Sequence, residues 1–161
     1  TTMNIEHEAY KIAMRYHGEQ MYGDKPYEVH LQAVRNVLVE FGHKDPLMLA
    51  SAWLHDILED TDYPVRALAN NFGSEISDMV YAVSGFGANR KARAASAYVK
   101  IRKNPNAAIL KAADRIANMR ASKGGPHEQM YLKAWPDFEQ WIGFIIPSDM
   151  MRELERLHST Q

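Results

Sequence analysis

Apolar residues recur at three- and four-residue spacing along nearly the whole chain, the period of helices packed on one side. Ile5, Ala9, Ile12, Ala13 and Tyr16 predict a first helix over 5–16. A polar loop over 18–25 follows, and Pro26 can open a second helix running to about Phe41. Asp45-Pro46 gives a cap and first-turn signal for a third helix to about Asp60. Thr61, Asp62 and Pro64 start a short helix ending at Phe72-Gly73, and Ser74 caps the next, through Val83. A break at Gly85 and Gly87 precedes a basic helix over 90–103, and Asn104-Pro105 starts another through about Met119. After the loop Lys123-Gly124-Gly125-Pro126 come two more helices, the last capped near Ser148. No stretch alternates as a strand would, nothing repeats, and no linker divides the chain. The expectation is an all-α fold, one compact bundle of eight to ten helices forming a single domain over 3–161. The leading Thr1-Thr2 before Met3 reads as an expression remnant.

Two of these helices depart from the one-sided pattern. The third is apolar nearly all round (Leu47, Met48, Leu49, Ala50, Ala52, Trp53, Leu54, Ile57, Leu58), as in a buried central helix, yet it carries His55-Asp56 and Glu59-Asp60. On a continuous helix these four fall within an arc of roughly 140°, His55 over Glu59 and Asp56 over Asp60. Three carboxylates and an imidazole there repel one another and lose hydration, a cost that a divalent cation relieves best. The helix around Ala107 to Met119 is also mostly apolar and places Asp114 and Asn118 one turn apart. His30 stands among Val29, Leu31, Val34 and Val37, a poor setting for an unpaired imidazole. His30, His55, Asp56 and Asp114 together offer two nitrogens and two anionic oxygens, a mixed set that suits manganese, iron or zinc better than calcium or magnesium. Taken singly, each has a plainer reading: His30 as a core histidine bonded to backbone, Asp114 paired with Lys111 or Arg115, Glu59-Asp60 as an exposed helix end.

Composition narrows the classes of function. With 161 residues, 46% hydrophobic and 24% charged, the chain can bury a core without staples. A net charge of −1 gives no electrostatic case for nucleic acid as the main partner. The absence of cysteine removes disulfides, zinc ribbons and thiol nucleophiles. With no signal peptide and no apolar run of membrane length, a cytoplasmic protein without membrane contact is expected. The oligomeric state is open, a homo-oligomer included.

The order His, then His-Asp, then a later Asp resembles the HD superfamily of metal-dependent phosphohydrolases. His17-Gly18-Glu19-Gln20 and Lys25-Pro26-Tyr27-Glu28-Val29-His30 resemble the opening of the hydrolase domain of RelA/SpoT proteins. The stretch 52–61 is similar to its HDxxEDT core, Phe72-Gly73-Ser74-Glu75-Ile76 to the following FGxEV segment, and 111–120 to its KLADRxxNMR stretch. No synthetase domain follows, so the chain resembles the stand-alone small alarmone hydrolases. The resemblance implies an all-helical fold, a bound Mn²⁺ (Fe²⁺ or Zn²⁺ being alternatives), and removal of the 3′-pyrophosphate from ppGpp or pppGpp. It places His30, His55, Asp56 and Asp114 on the metal, Glu59 and Asp60 at the attacking water, and Asn118 beside the sugar and phosphates. Glu59 as a group that fixes His55 is the alternative to a base.

Departures from the family concern substrate. The loop after the glutamine is shorter here (Met21-Tyr22-Gly23-Asp24-Lys25), and Tyr22 stands about where the family has an arginine that packs on guanine. Its ring can stack on a base, or be a surface tyrosine without a role. The family's VTK is Val83-Ser84-Gly85, losing its lysine. Arg90, Lys91 and Arg93 form a basic patch that either meets phosphates or is a solvated face. Tyr131 and Lys133 lie where related proteins contribute substrate contacts. Two other readings stand beside alarmone hydrolysis: an HD phosphatase for a dNTP, a nucleoside monophosphate or NADPH, and an inactive, metal-stabilised binding module.

Overall fold

A computed structural model describes residues 4–159; Thr1-Thr2 lie outside them. The helices are α1 (Ile5–His17), α2 (Tyr27–Glu40), α3 (Pro46–Leu54), α4 (Ile57–Asp60), α5 (Val65–Phe72), α6 (Ser74–Val83), α7 (Arg90–Ile101), α8 (Pro105–Ser122), α9 (Glu128–Ile142) and α10 (Ser148–His158). A 3₁₀ turn, Gly143–Ile145, joins the last two. The expected all-helical architecture is what the chain adopts, and two of its helix starts follow from predicted caps. Asp45 accepts from the Leu47 N–H and Asn104 from the Ala107 N–H, each with proline at the next position. Ser74 and Ser148 are not caps: each is the first helical residue, after Gly73 and Pro147.

The polar loop before α2 holds a short hairpin. β1 (Met21–Tyr22) pairs antiparallel with β2 (Lys25–Pro26), Tyr22 opposite Lys25. Strands of two residues are too short to display alternation. The turn is made by Gly23, whose φ of 62° is open to glycine at little cost.

Two apolar clusters make up the interior. One gathers α8 with Val34 and Leu38 of α2, Phe138 of α9 and Leu154 of α10. The other surrounds α3 with Ala9 and Ala13 of α1, Leu68 of α5 and Ile76 of α6. Leu31, Leu54, Leu110 and Ile116 are each fully buried, and such a side chain contributes roughly 1.5–3 kcal/mol on leaving water. Because α2 supplies Leu31 to one cluster and Val34 to the other, its His30 stands where the two meet.

The third helix is not continuous to Asp60. It ends at Leu54 and restarts at Ile57, with Asp56 at φ −104°, ψ 2°. The cause is local: the His55 ring bonds the Ala52 carbonyl through Nδ1 at 2.7 Å, and that carbonyl is the acceptor the Asp56 N–H would use in an unbroken helix. The break interrupts the single helix expected through Asp60, although the Asp60 N–H still bonds the Asp56 carbonyl at 3.0 Å. Glu59 and Asp60 take partners on different elements.

Candidate metal centre and cleft

Four side chains from three elements converge between the two clusters. His55 Nε2 lies 3.0 Å from Asp56 Oδ2 and 3.2 Å from Asp114 Oδ1. His30 Nε2 lies 3.1 Å from Asp114 Oδ1 and 3.6 Å from Asp56 Oδ2. One ligand atom from each of His30, His55 and Asp56 lies within 4.8 Å of the others. Both imidazoles are 3% exposed, so water does little to separate these charges.

The arrangement calls for a cation. Since the Ala52 carbonyl takes the Nδ1–H of His55, the Nε2 of a neutral ring presents a lone pair. That lone pair meets the lone pairs of two carboxylates, an arrangement that repels unless a proton or a metal ion sits among them. Burial by itself would raise the pKa of Asp56 and Asp114. The His55 charge leads in overriding it for Asp56, the Lys111 ammonium for Asp114, and both carboxyls are held well below the usual range. Conversely, burial disfavours charge on His30 and His55, and the two carboxylates raise both pKa values nonetheless. Two imidazole nitrogens with two anionic oxygens therefore fit a divalent ion.

Around this centre lie groups that orient it. The Tyr27 hydroxyl donates to Asp56 Oδ2 at 2.5 Å, Lys111 Nζ approaches Asp114 Oδ2 at 3.4 Å, and the Asn118 amide donates to Asp114 Oδ1 at 3.1 Å. Asp114 thus pairs with Lys111, as its plainer reading allowed, and faces both histidines as well. Asp60 Oδ2 accepts from Gln20 Nε2 at 3.0 Å, and Gln20 in turn bonds His17 at 2.8 Å. Glu59 Oε2 accepts the Gly85 N–H at 3.1 Å. Burial raises the pKa of Glu59, and the nearby Asp56 adds to the effect. His55 takes its orientation from Ala52 and not from Glu59.

A cleft of about 1390 Å³ opens from the centre, room for a whole nucleotide with several phosphates. His30, Asp56, Glu59, Asp60 and Asp114 are among its lining residues. Arg90, Lys91, Arg93, Lys111, Arg115 and Lys133 line it too, together with Asn118 and Tyr131. The basic patch of α7 therefore belongs to the cleft. Tyr22 is folded over the centre, its ring stacked on His30 and its hydroxyl donating to Asn118 Oδ1 at 2.6 Å. Tyr27, Gln20, Lys111 and Arg115 were not among the site residues read from sequence. Tyr27 and Lys111 each stand three positions before a candidate ligand, one helical turn away, and that spacing was the available signal.

Comparison with known proteins identifies the family. The profile of the HD domain family matches residues 9–135. The chain is 33% identical over 141 residues to a GTP pyrophosphokinase of Streptomyces coelicolor, covering 83% of this chain and 16% of that one. It is 33% identical over 118 residues to a guanosine-3′,5′-bis(diphosphate) 3′-pyrophosphohydrolase of Aquifex aeolicus, covering 70% and 17%. The chain thus spans less than a fifth of the length of these relatives. A solved structure presented as "A metazoan ortholog of SpoT hydrolyzes ppGpp and plays a role in starvation responses" superposes with a TM-score of 0.82 at 20% identity, over 98% of this chain and 95% of that one. That likeness speaks for the fold, and the profile match over most of the chain speaks for descent. The chain belongs to the HD domain family.

Proposed function

We propose that this chain acts as a Mn²⁺-dependent 3′-pyrophosphohydrolase of ppGpp and pppGpp and works in the cytoplasm. The observation that carries this is the meeting of His30, His55, Asp56 and Asp114 at the head of a cleft walled by cations. The pyrophosphohydrolase relative supplies the substrate class. No helix among the described residues is long and apolar enough to cross a membrane.

His30, His55, Asp56 and Asp114 would hold the ion. When bound, it supplies Lewis acidity, acidifying a water and drawing charge from the phosphoryl group. Glu59, its pKa raised by burial, takes the proton of the attacking water. Asp60, tied to Gln20, orients that water. The water oxygen bonds the phosphorus next to the ribose, the bond from phosphorus to the 3′ oxygen breaks, and that oxygen leaves with a proton as the 3′-hydroxyl of GDP or GTP. Arg90, Lys91, Arg93 and Lys133 receive the phosphates, Asn118 meets the sugar and phosphates, and Tyr22 and Tyr131 lie at the nucleoside. A second reading, hydrolysis of another nucleotide, is favoured by Tyr22, which stands in place of a base-contacting arginine.

The test is a panel of ppGpp, the four dNTPs, nucleoside monophosphates and NADPH with Mn²⁺, scored separately for phosphate and pyrophosphate. Pyrophosphate from ppGpp, with the others slow, is expected. Faster turnover of another nucleotide would leave the centre intact and overturn the substrate.

A further inference from the structure

Glu59 is carried by α4, a helix of only four residues, too short to fix a side chain unaided. The hydrogen bond that does so comes from the segment joining α6 to α7, through the Gly85 N–H. That segment lies flush against α7. A Cβ at position 85 would stand 2.3 Å from the carbonyl oxygen of Arg93 and 2.8 Å from its carbonyl carbon, both backbone atoms. At position 87 a Cβ would stand 2.9 Å from that of Ala92. Neither glycine has positive φ, so space, and not backbone conformation, demands them. The segment is pinned on both sides of Gly85: Lys100 Nζ donates to the Ser84 carbonyl at 2.7 Å, and the Phe86 N–H donates to Ser96 Oγ at 2.8 Å. Both partners belong to α7, the helix that brings Arg90, Lys91 and Arg93 to the cleft.

We propose that Gly85 is a positioning residue for Glu59. Its missing side chain lets the segment close on α7, and its N–H then fixes one carboxylate oxygen of Glu59, leaving Oε1 for the water. The same contact couples the direction of Glu59 to the helix that forms the cationic wall. The inference rests on the reading of Glu59 as the base.

Gly85→Ala cannot be relieved by rotating a side chain, because the obstruction is backbone, so the segment must lift and the bond to Glu59 must lengthen. The expected result is a fall in kcat for ppGpp of roughly 10-fold or more, the scale of a hydrogen bond to a charged group. KM and Mn²⁺ affinity by calorimetry should each stay within about 2-fold. In a Glu59→Gln background the same substitution should change kcat no further, since coupled residues are not additive. Unchanged kcat in Gly85→Ala, or an equal loss in both backgrounds, would overturn the proposal. Should Gly85→Ala fail to fold, the Gly85 amide resonance of Zn²⁺-loaded protein decides instead. It should move on Glu59→Gln by more than the Phe86 and Gly87 amides, and an unmoved Gly85 amide would overturn the proposal. If the unaltered protein hydrolyses no nucleotide, the proposed function fails, and the amide measurement still decides whether Gly85 holds Glu59.

Discussion

The ring of Tyr22 lies nearly parallel to the imidazole of His30, with centroids 4.6 Å apart and an interplanar angle of 14°. One face of Tyr22 is therefore spent on His30, and only its other face or edge is left for a nucleotide base. Its hydroxyl fixes the Asn118 amide: the carboxylate of Asp114 accepts from the amide nitrogen, so Oδ1 must face Tyr22 and accept its proton. Asn118 then has one N–H left, a donor suited to a phosphate oxygen.

Tyr22→Phe should free the Asn118 carbonyl at a cost of about 1 kcal/mol, and so raise KM for the nucleotide roughly 5-fold with Mn²⁺ affinity unchanged. Tyr22→Ala, which also uncovers His30, should weaken Mn²⁺ binding. Steady-state kinetics and calorimetry on both variants separate the two effects.

The ligands and the base should part company under mutation. His55→Ala or Asp56→Ala should abolish both metal binding and turnover. Glu59→Gln should keep the metal and lose at least ~100-fold in kcat, the usual size of a general-base contribution. A fully active Glu59→Gln would remove Glu59 from the proton-transfer role.

Metal removal should also cost stability. A ligand that binds only the folded state stabilises it by mass action, about 2.7 kcal/mol at a hundred times its dissociation constant. Thermal unfolding with EDTA should therefore fall below that with saturating Mn²⁺. The difference should vanish in Asp56→Ala.

Far from the centre, His158 gives the fold an acid limit. Its ring stacks on Trp135 at 4.0 Å, Nδ1 donates to the Leu154 carbonyl, and Nε2 is buried without a partner among the described residues. Burial, with nearby Arg115 adding to it, pushes its pKa down to about 4. Between the ordinary histidine value near 6.5 and about 4, the unfolded chain binds a proton that the fold refuses, so stability rises with pH across that window. As pH falls through it, a loss on the order of 2 kcal/mol is expected. Urea unfolding at pH 7 and pH 4.5 should show that loss, and His158→Phe should reduce it.

The helical starts were legible because asparagine, aspartate and proline cap helices by local chemistry, as Asp45-Pro46 and Asn104-Pro105 do. The convergence of His30, His55, Asp56 and Asp114 was legible because polar groups on otherwise apolar helices need a common reason. The break at His55-Asp56 was not, since it depends on a side chain competing for the Ala52 carbonyl. Nor was the link between Glu59 and Gly85: 26 residues separate them, and a backbone donor leaves no mark in a side-chain pattern. Tyr22 was seen as a departure, but its stacking on His30 follows from a hairpin too short to read.

The most direct test is pyrophosphate release from ppGpp by metal-stripped protein titrated with Mn²⁺. Activity should rise from background and level off at one equivalent of bound ion. Release that is independent of metal, or absent at saturating Mn²⁺, would contradict the account.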